Sequence, residues 1–201
     1  MSLWPVALVV GMAANCAAIP APAIAVSLAE IPASITAAAP AALPDHAEGH
    51  YSGDIGIRYD VTASTVQTPA GLSCAAIEAI TITLTHTAAL RIADTHAPGS
   101  CFHAAIMDHE QDHAEIDRRL LRKFGPRIED GLKLAYATAP DYTAGPFPAG
   151  QGAKDEAARF GPAVMAVVEV LTADMFRQRE AAQAGLDTPE SYRALTASCP
   201  R

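Results

Sequence analysis

Five consecutive residues carry a chemical signal: His109-Glu110-Gln111-Asp112-His113, an H-E-x-x-H match. Imidazoles four positions apart share one face of an α-helix, so both rings can reach a single metal ion. Glu110 sits about 100° around the helix from His109. From there its carboxylate can reach a water on the metal without ligating the metal. Two neutral imidazoles and a third ligand suit Zn²⁺; an open position takes water, and the carboxylate accepts the water's proton. Zinc brings the pKa of such a water toward ~7, so a modest base suffices. The alternative is a pair of hydrogen-bonded core histidines. At this composition a chance match arises on the order of 0.01 times per chain, which favours the metal.

That chemistry needs a helix, and the flanking sequence provides one. Ser100 is a good N-cap for a helix from Cys101 to about Phe124. Phe102, Ala105, Ile106, His109, His113, Ile116, Leu120 and Phe124 recur at three and four residues, one continuous stripe. Both histidines lie on it, where unpartnered imidazoles would be costly to bury. Gly125-Pro126 is expected to stop the helix. Arg118, Arg119, Arg122 and Lys123 crowd its last turns, where cations suit the helix dipole.

The elements around it follow from periodicity and turn residues. Gly56 to Thr62 alternates as a half-buried strand, Thr68 to Gly71 reads as a turn, and Ile77 to Ile92 as a second strand. Ala93 to Gly99 is a loop. After the motif helix come a short helix at Arg127 to Ala137 and a loop at Pro140 to Gly152. A long helix or helix pair follows from Asp155 to Gln183, with Pro162 as the divider. Its apolar face is Val164, Val167, Val168, Leu171, Met175 and Phe176. Thr188-Pro189-Glu190 opens a last short helix through Ala197.

Composition bounds the rest. The chain has 201 residues, 50% of them hydrophobic and 18% charged, enough for one domain with a core. Its net charge is -8, with Lys+Arg 14 against Asp+Glu 22, which argues against a nucleic-acid partner. An apolar run from Leu3 to Ala14 followed by Ala23-Ile24-Ala25 reads as a signal peptide over residues 1–25. The run is too short for a span of ~20 residues, and no membrane span is expected once it is removed. Residues 26–49 are Ala/Pro-rich and read as a linker, leaving a domain at 50–201. Removal of Cys16 with the leader would leave Cys74, Cys101 and Cys199. One disulfide, Cys74–Cys101 or Cys101–Cys199, and one spare thiol are then expected, in a secreted or periplasmic protein.

The order of leader, strand, Cys74, strand, Cys101 and motif helix resembles a bacterial family of predicted secreted zinc-dependent proteases, within the broad H-E-x-x-H zincin group. The likeness runs over roughly residues 50 to 124 and rests mainly on the five-residue motif. It implies zinc on His109 and His113, Glu110 as catalytic base, and a protein or peptide substrate. It also implies a zincin-like α+β fold: a small antiparallel sheet against the motif helix, then further helices. No histidine follows His113, so the third ligand must come from elsewhere. Glu169, on the later apolar helix, is the candidate, similar to zincins that use a downstream glutamate; a solvent-facing Glu169 is its alternative. Asp174, His86 and His96 are further candidates. Asp117, one turn beyond His113, is too far along the helix to share the ion and is expected to orient His113. The rival to a metallopeptidase is an exported, non-catalytic metal-binding or structural module.

Overall fold

A computed structural model of the chain describes residues 16, 19–44, 47–138, 142–148 and 152–199. One strand organises it. In β4 (Ser73–Ala93) the residues Ile80, Ile82, Leu84, His86, Ala88, Leu90 and Ile92 are buried, while Thr81, Thr83, Thr85 and Thr87 point the other way. This two-residue period gives the sheet one packed face and one wet face. β3 (Gly49–Gln67) runs antiparallel along the whole of one edge of β4, pairing Ile57 with Leu84 and Val61 with Ile80. The turn between them, closed from Gly71 N–H to the Thr68 carbonyl, lies where the sequence puts it.

The opposite edge of β4 carries three short strands in succession. β5 (Thr143–Phe147) pairs antiparallel near Ser73–Ala76, inside the expected 140–152 loop. β1 (Ala23–Glu30) pairs parallel with Ala79–His86, and β2 (Ser34–Ala38) parallel with Ala89–Ala93. The sheet is therefore mixed, not purely antiparallel. Residues 26–49, expected to be a linker, hold most of β1, all of β2 and a 3-10 turn at Pro40–Ala42. Ile24 and Val26 alternate inward onto the core, and β4 offers a free edge to pair with. Together these outweigh the Ala/Pro composition.

The motif helix, α1 (Cys101–Thr138), starts as expected: the His103 N–H donates to the Ser100 hydroxyl at 3.2 Å. It does not stop at Gly125-Pro126 but runs through them and absorbs the expected 127–137 helix. Proline inside a helix costs about 3 kcal/mol. Ile128, Leu132 and Tyr136 are all buried beyond that point. Each stabilises by roughly 1.5–3 kcal/mol, so continuing the apolar stripe wins. The long helical region divides into α2 (Ala153–Ala157) and α3 (Phe160–Leu186). Pro162 lies in the first turn of α3, where it is tolerated, and does not make the break. α4 (Pro189–Ala197) carries a capping box between Thr188 and Ser191. The core lies between the packed face of β4 and helices α1 and α3, around Ile80, Ile82, Leu84, Leu121, Ile128, Val168 and Met175.

Two disulfides bind the edges of this assembly: Cys101–Cys199 and Cys16–Cys74. The first is one of the two expected pairings. In the second, Cys74 is not a spare thiol, because Cys16 reaches it. Residues 1–15, and with them most of the expected leader, lie outside the described residues. Cleavage after Ala25 and the Cys16–Cys74 bridge exclude one another, since that cut removes Cys16 and the first three residues of β1. Two disulfides fit an oxidising compartment, and no helix among the described residues is long and apolar enough to cross a membrane.

Candidate metal centre

α1 and α3 pack as antiparallel neighbours, and each presents a polar row at four-residue spacing. His109, His113 and Asp117 on α1 meet Asp187, Gln183 and Arg179 in reverse order. Asp187 is the residue at which α3 ends. The three cross-helix rungs form the centre and its support.

At the first rung, Asp187 Oδ1 lies 3.3 Å from His109 Nε2 and 3.1 Å from His113 Nε2. All three ligand atoms fall within 4.8 Å of one another, so the group could hold a metal ion. Ligand atoms about 2.05 Å from a tetrahedral ion stand about 3.3 Å apart, which matches these separations. Burial pushes the Asp187 carboxyl up. The charge of His113 and hydrogen bonds from Tyr192, His109 and His113 outweigh it and keep Asp187 below the usual carboxylate range.

The second rung fixes the tautomer of His113. Gln183 Nε2 donates to the His113 carbonyl at 3.0 Å and to Asp117 Oδ1 at 2.8 Å. Its amide oxygen is therefore an acceptor, and His113 Nδ1–H donates to it. The lone pair of a neutral His113 then sits on Nε2, facing the Asp187 oxygen. A metal ion there would take both lone pairs; without one, a proton on Nε2 donates to Asp187 Oδ1 at 3.1 Å. This donor set, two imidazoles and one carboxylate, suits zinc.

Asp117 anchors the third rung and is 0% exposed. It accepts from Tyr51 Oη at 2.6 Å, from Arg179 Nε and Nη2 at 2.8 Å each, and from Gln183. Burial alone would raise its pKa; donation from Arg179, Tyr51 and Gln183 keeps it low and the carboxylate ionised. Asp117 meets His113 only through Gln183 and does not touch the ring. Its ion-pair partner is Arg179 of α3. The Tyr51 ring stacks on His113 with centroids 5.7 Å apart, and His86 Nε2 stands 3.0 Å from the Tyr51 hydroxyl.

Glu110 is 5% exposed beside these ligands. Burial pushes its carboxyl up to about 7, and the charge of Asp187 adds to this; His113 and the Tyr51 backbone N–H pull the other way. Gly49 makes room for it, because a Cβ there would overlap Glu110 Oε1 and Ile106. Asp108 and Asp112, each directly preceding a motif histidine, are exposed. Tyr192 of α4 donates to Asp187 Oδ1 at 3.1 Å. Burial and the Asp187 charge push its phenol up to about 12, so it remains a donor.

Glu169 does not join the centre. It is exposed on α3, eighteen residues or about 27 Å along the helix from Asp187. Asp174 accepts from Arg177 and Gln178. His96 bonds Glu48, and His86 belongs to the Tyr51–Asp117 network. Among the described residues the carboxylate that lies against both histidines is Asp187, at the end of α3. One signal could have found it: an aspartate at a helix C-terminus opposes the macrodipole and needs a reason to be there.

A cavity of about 640 Å³ opens over the centre, walled by Glu110, His113, Asp187 and the β3 residues 49–53. Among the described residues β3 pairs with no strand but β4; on its other edge the Tyr51 N–H donates to Glu110 and the Gly53 carbonyl accepts from Arg179 Nη2 at 2.8 Å. His50 lines the same cavity; burial and the Arg91 charge hold its imidazole below the ordinary value. Comparison of the chain with protein-family models, curated proteins and solved structures finds no match.

Proposed function

We propose that the protein is an exported zinc metallopeptidase with His109, His113 and Asp187 as ligands and Glu110 as general base. One observation carries the reading: the buried carboxylate of Glu110 stands beside a three-ligand group that could hold a metal ion. Zinc bound there supplies a Lewis acid that acidifies a water and polarises the scissile carbonyl. Glu110 accepts the proton of the attacking water and returns it to the leaving amine. A base poised near 7 suits both transfers. Gln183 and Asp117 keep His113 in the tautomer that points Nε2 at the centre.

The test is hydrolysis of an unstructured protein substrate together with metal content. Glu110→Gln is expected to retain one zinc and to lose activity by at least about 10³-fold. Zinc binding without hydrolysis in the unaltered protein would instead leave an exported, non-catalytic metal-binding module.

A further inference from the structure

Of the inward residues of β4 from Ile80 to Ile92, His86 alone is polar, and it is 1% exposed. It takes no part in the chemistry proposed above. Its Nε2 stands 3.0 Å from Tyr51 Oη, while its Nδ1 is buried without a hydrogen-bond partner among the described residues. A bare buried acceptor costs stability, and an apolar side chain would fill the same place without that cost. The gain from a histidine here must therefore lie at Nε2.

The proton positions follow from Asp117. Its ionised carboxylate can only accept, so the single Tyr51 hydroxyl proton is spent on the 2.6 Å bond to Oδ2. The Tyr51 oxygen then has only acceptor capacity left, and His86 is the donor, from Nε2–H. Burial holds the His86 imidazole below its ordinary value despite the Asp117 charge, so near pH 7 the ring is neutral and carries that one proton. Tyr51 is what this bond holds. Its ring lies along β3 over Gly53, where a Cβ would overlap the hydroxyl. The ring stacks on His113 with planes 8° apart, and the Tyr51 N–H donates to Glu110. One residue thus touches both a metal ligand and the base, and its far end is held between Asp117 and His86.

Resting on the metal centre proposed above, we infer that His86 is a positioning residue of that centre: by donating from Nε2 to Tyr51 Oη it holds the Tyr51 ring against His113 and so aims the ligand. It acts through Tyr51.

The experiment titrates zinc, against a competing chelator, into the full chain and two variants, and records the imidazole nitrogens of the zinc-free chain by NMR. His86→Leu removes the donor and keeps the packing; it should weaken zinc binding about 10-fold. His86→Gln returns an N–H at the place of Nε2 and should bind zinc within about 3-fold of the unaltered chain. A side chain that merely filled the core would give the opposite order, since leucine suits an apolar site better than glutamine does. His86→Met serves in place of the leucine variant if that one misfolds. The NMR spectrum should show His86, identified by the signal missing from His86→Gln, protonated on Nε2 alone. A proton on Nδ1, unchanged zinc affinity in His86→Leu, or a glutamine variant no better than the leucine one overturns the inference. No zinc on the unaltered chain removes the metal centre and the inference with it; zinc on the unaltered chain and equal affinity in His86→Leu removes the inference alone.

Discussion

Glu110→Gln should stabilise the metal-free protein, although it removes the catalytic base. Burial lifts the Glu110 carboxyl from 4.5 to about 7 in the folded chain. Between those values the native state holds a proton that the unfolded chain has released. Stability therefore falls as pH rises through that window and levels off above it. At 1.36 kcal/mol per pH unit the full cost of the buried anion is about 3 kcal/mol. Glutamine keeps the acceptor that faces the Tyr51 N–H and has no proton to lose. After chelation, urea unfolding at pH 8 should show the variant more stable by up to about 3 kcal/mol, roughly 6–12 °C in Tm. At pH 5 the two proteins should be nearly equal. Added zinc should shrink the pH 8 difference, because a cation beside Glu110 favours the ionised form. A variant less stable than its parent at pH 8, or a difference independent of pH, would refute the reasoning.

Asp117→Asn should be far more damaging than its distance from the metal suggests. It leaves Arg179 without its buried anion, at a cost of about 3–5 kcal/mol in urea unfolding. By freeing Gln183 it should also weaken zinc binding about 10- to 100-fold. Gly49→Ala should displace Glu110 through the overlap at Oε1, with a kcat loss on the order of 100-fold and unchanged zinc content. Peptide mapping of the exported protein under non-reducing conditions should recover Cys16–Cys74 and Cys101–Cys199, with a mature N-terminus at or before Cys16. An N-terminus at Val26 with Cys74 free to alkylate would contradict that pairing.

The motif helix, its N-cap, the two long strands, their turn and the last short helix were legible because each follows from local periodicity or capping chemistry. The run through Pro126 was not legible, because it depends on how much apolar surface waits beyond it. β1 and β2 were hidden for a similar reason: an Ala-rich stretch becomes a strand only when a free edge of β4 lies beside it. In the centre, His109, Glu110 and His113 could be read from spacing alone, and Asp117 from its place one turn on. Asp187 offered only its place as an acid at a helix C-terminus, since only the antiparallel register of α1 and α3 brings it to the histidines. Arg179, Gln183 and Asp187 form a visible four-residue row, but a row does not name the helix it faces.

The central claim is that His109, His113 and Asp187 hold one metal ion. Its most direct measurement is a competition titration of zinc into the chelator-treated protein and into Asp187→Ala and Glu169→Ala. One equivalent should bind the unaltered chain, the affinity should fall by at least about 100-fold in Asp187→Ala, and Glu169→Ala should match the parent. No zinc on the unaltered chain, or full affinity in Asp187→Ala, would contradict the account.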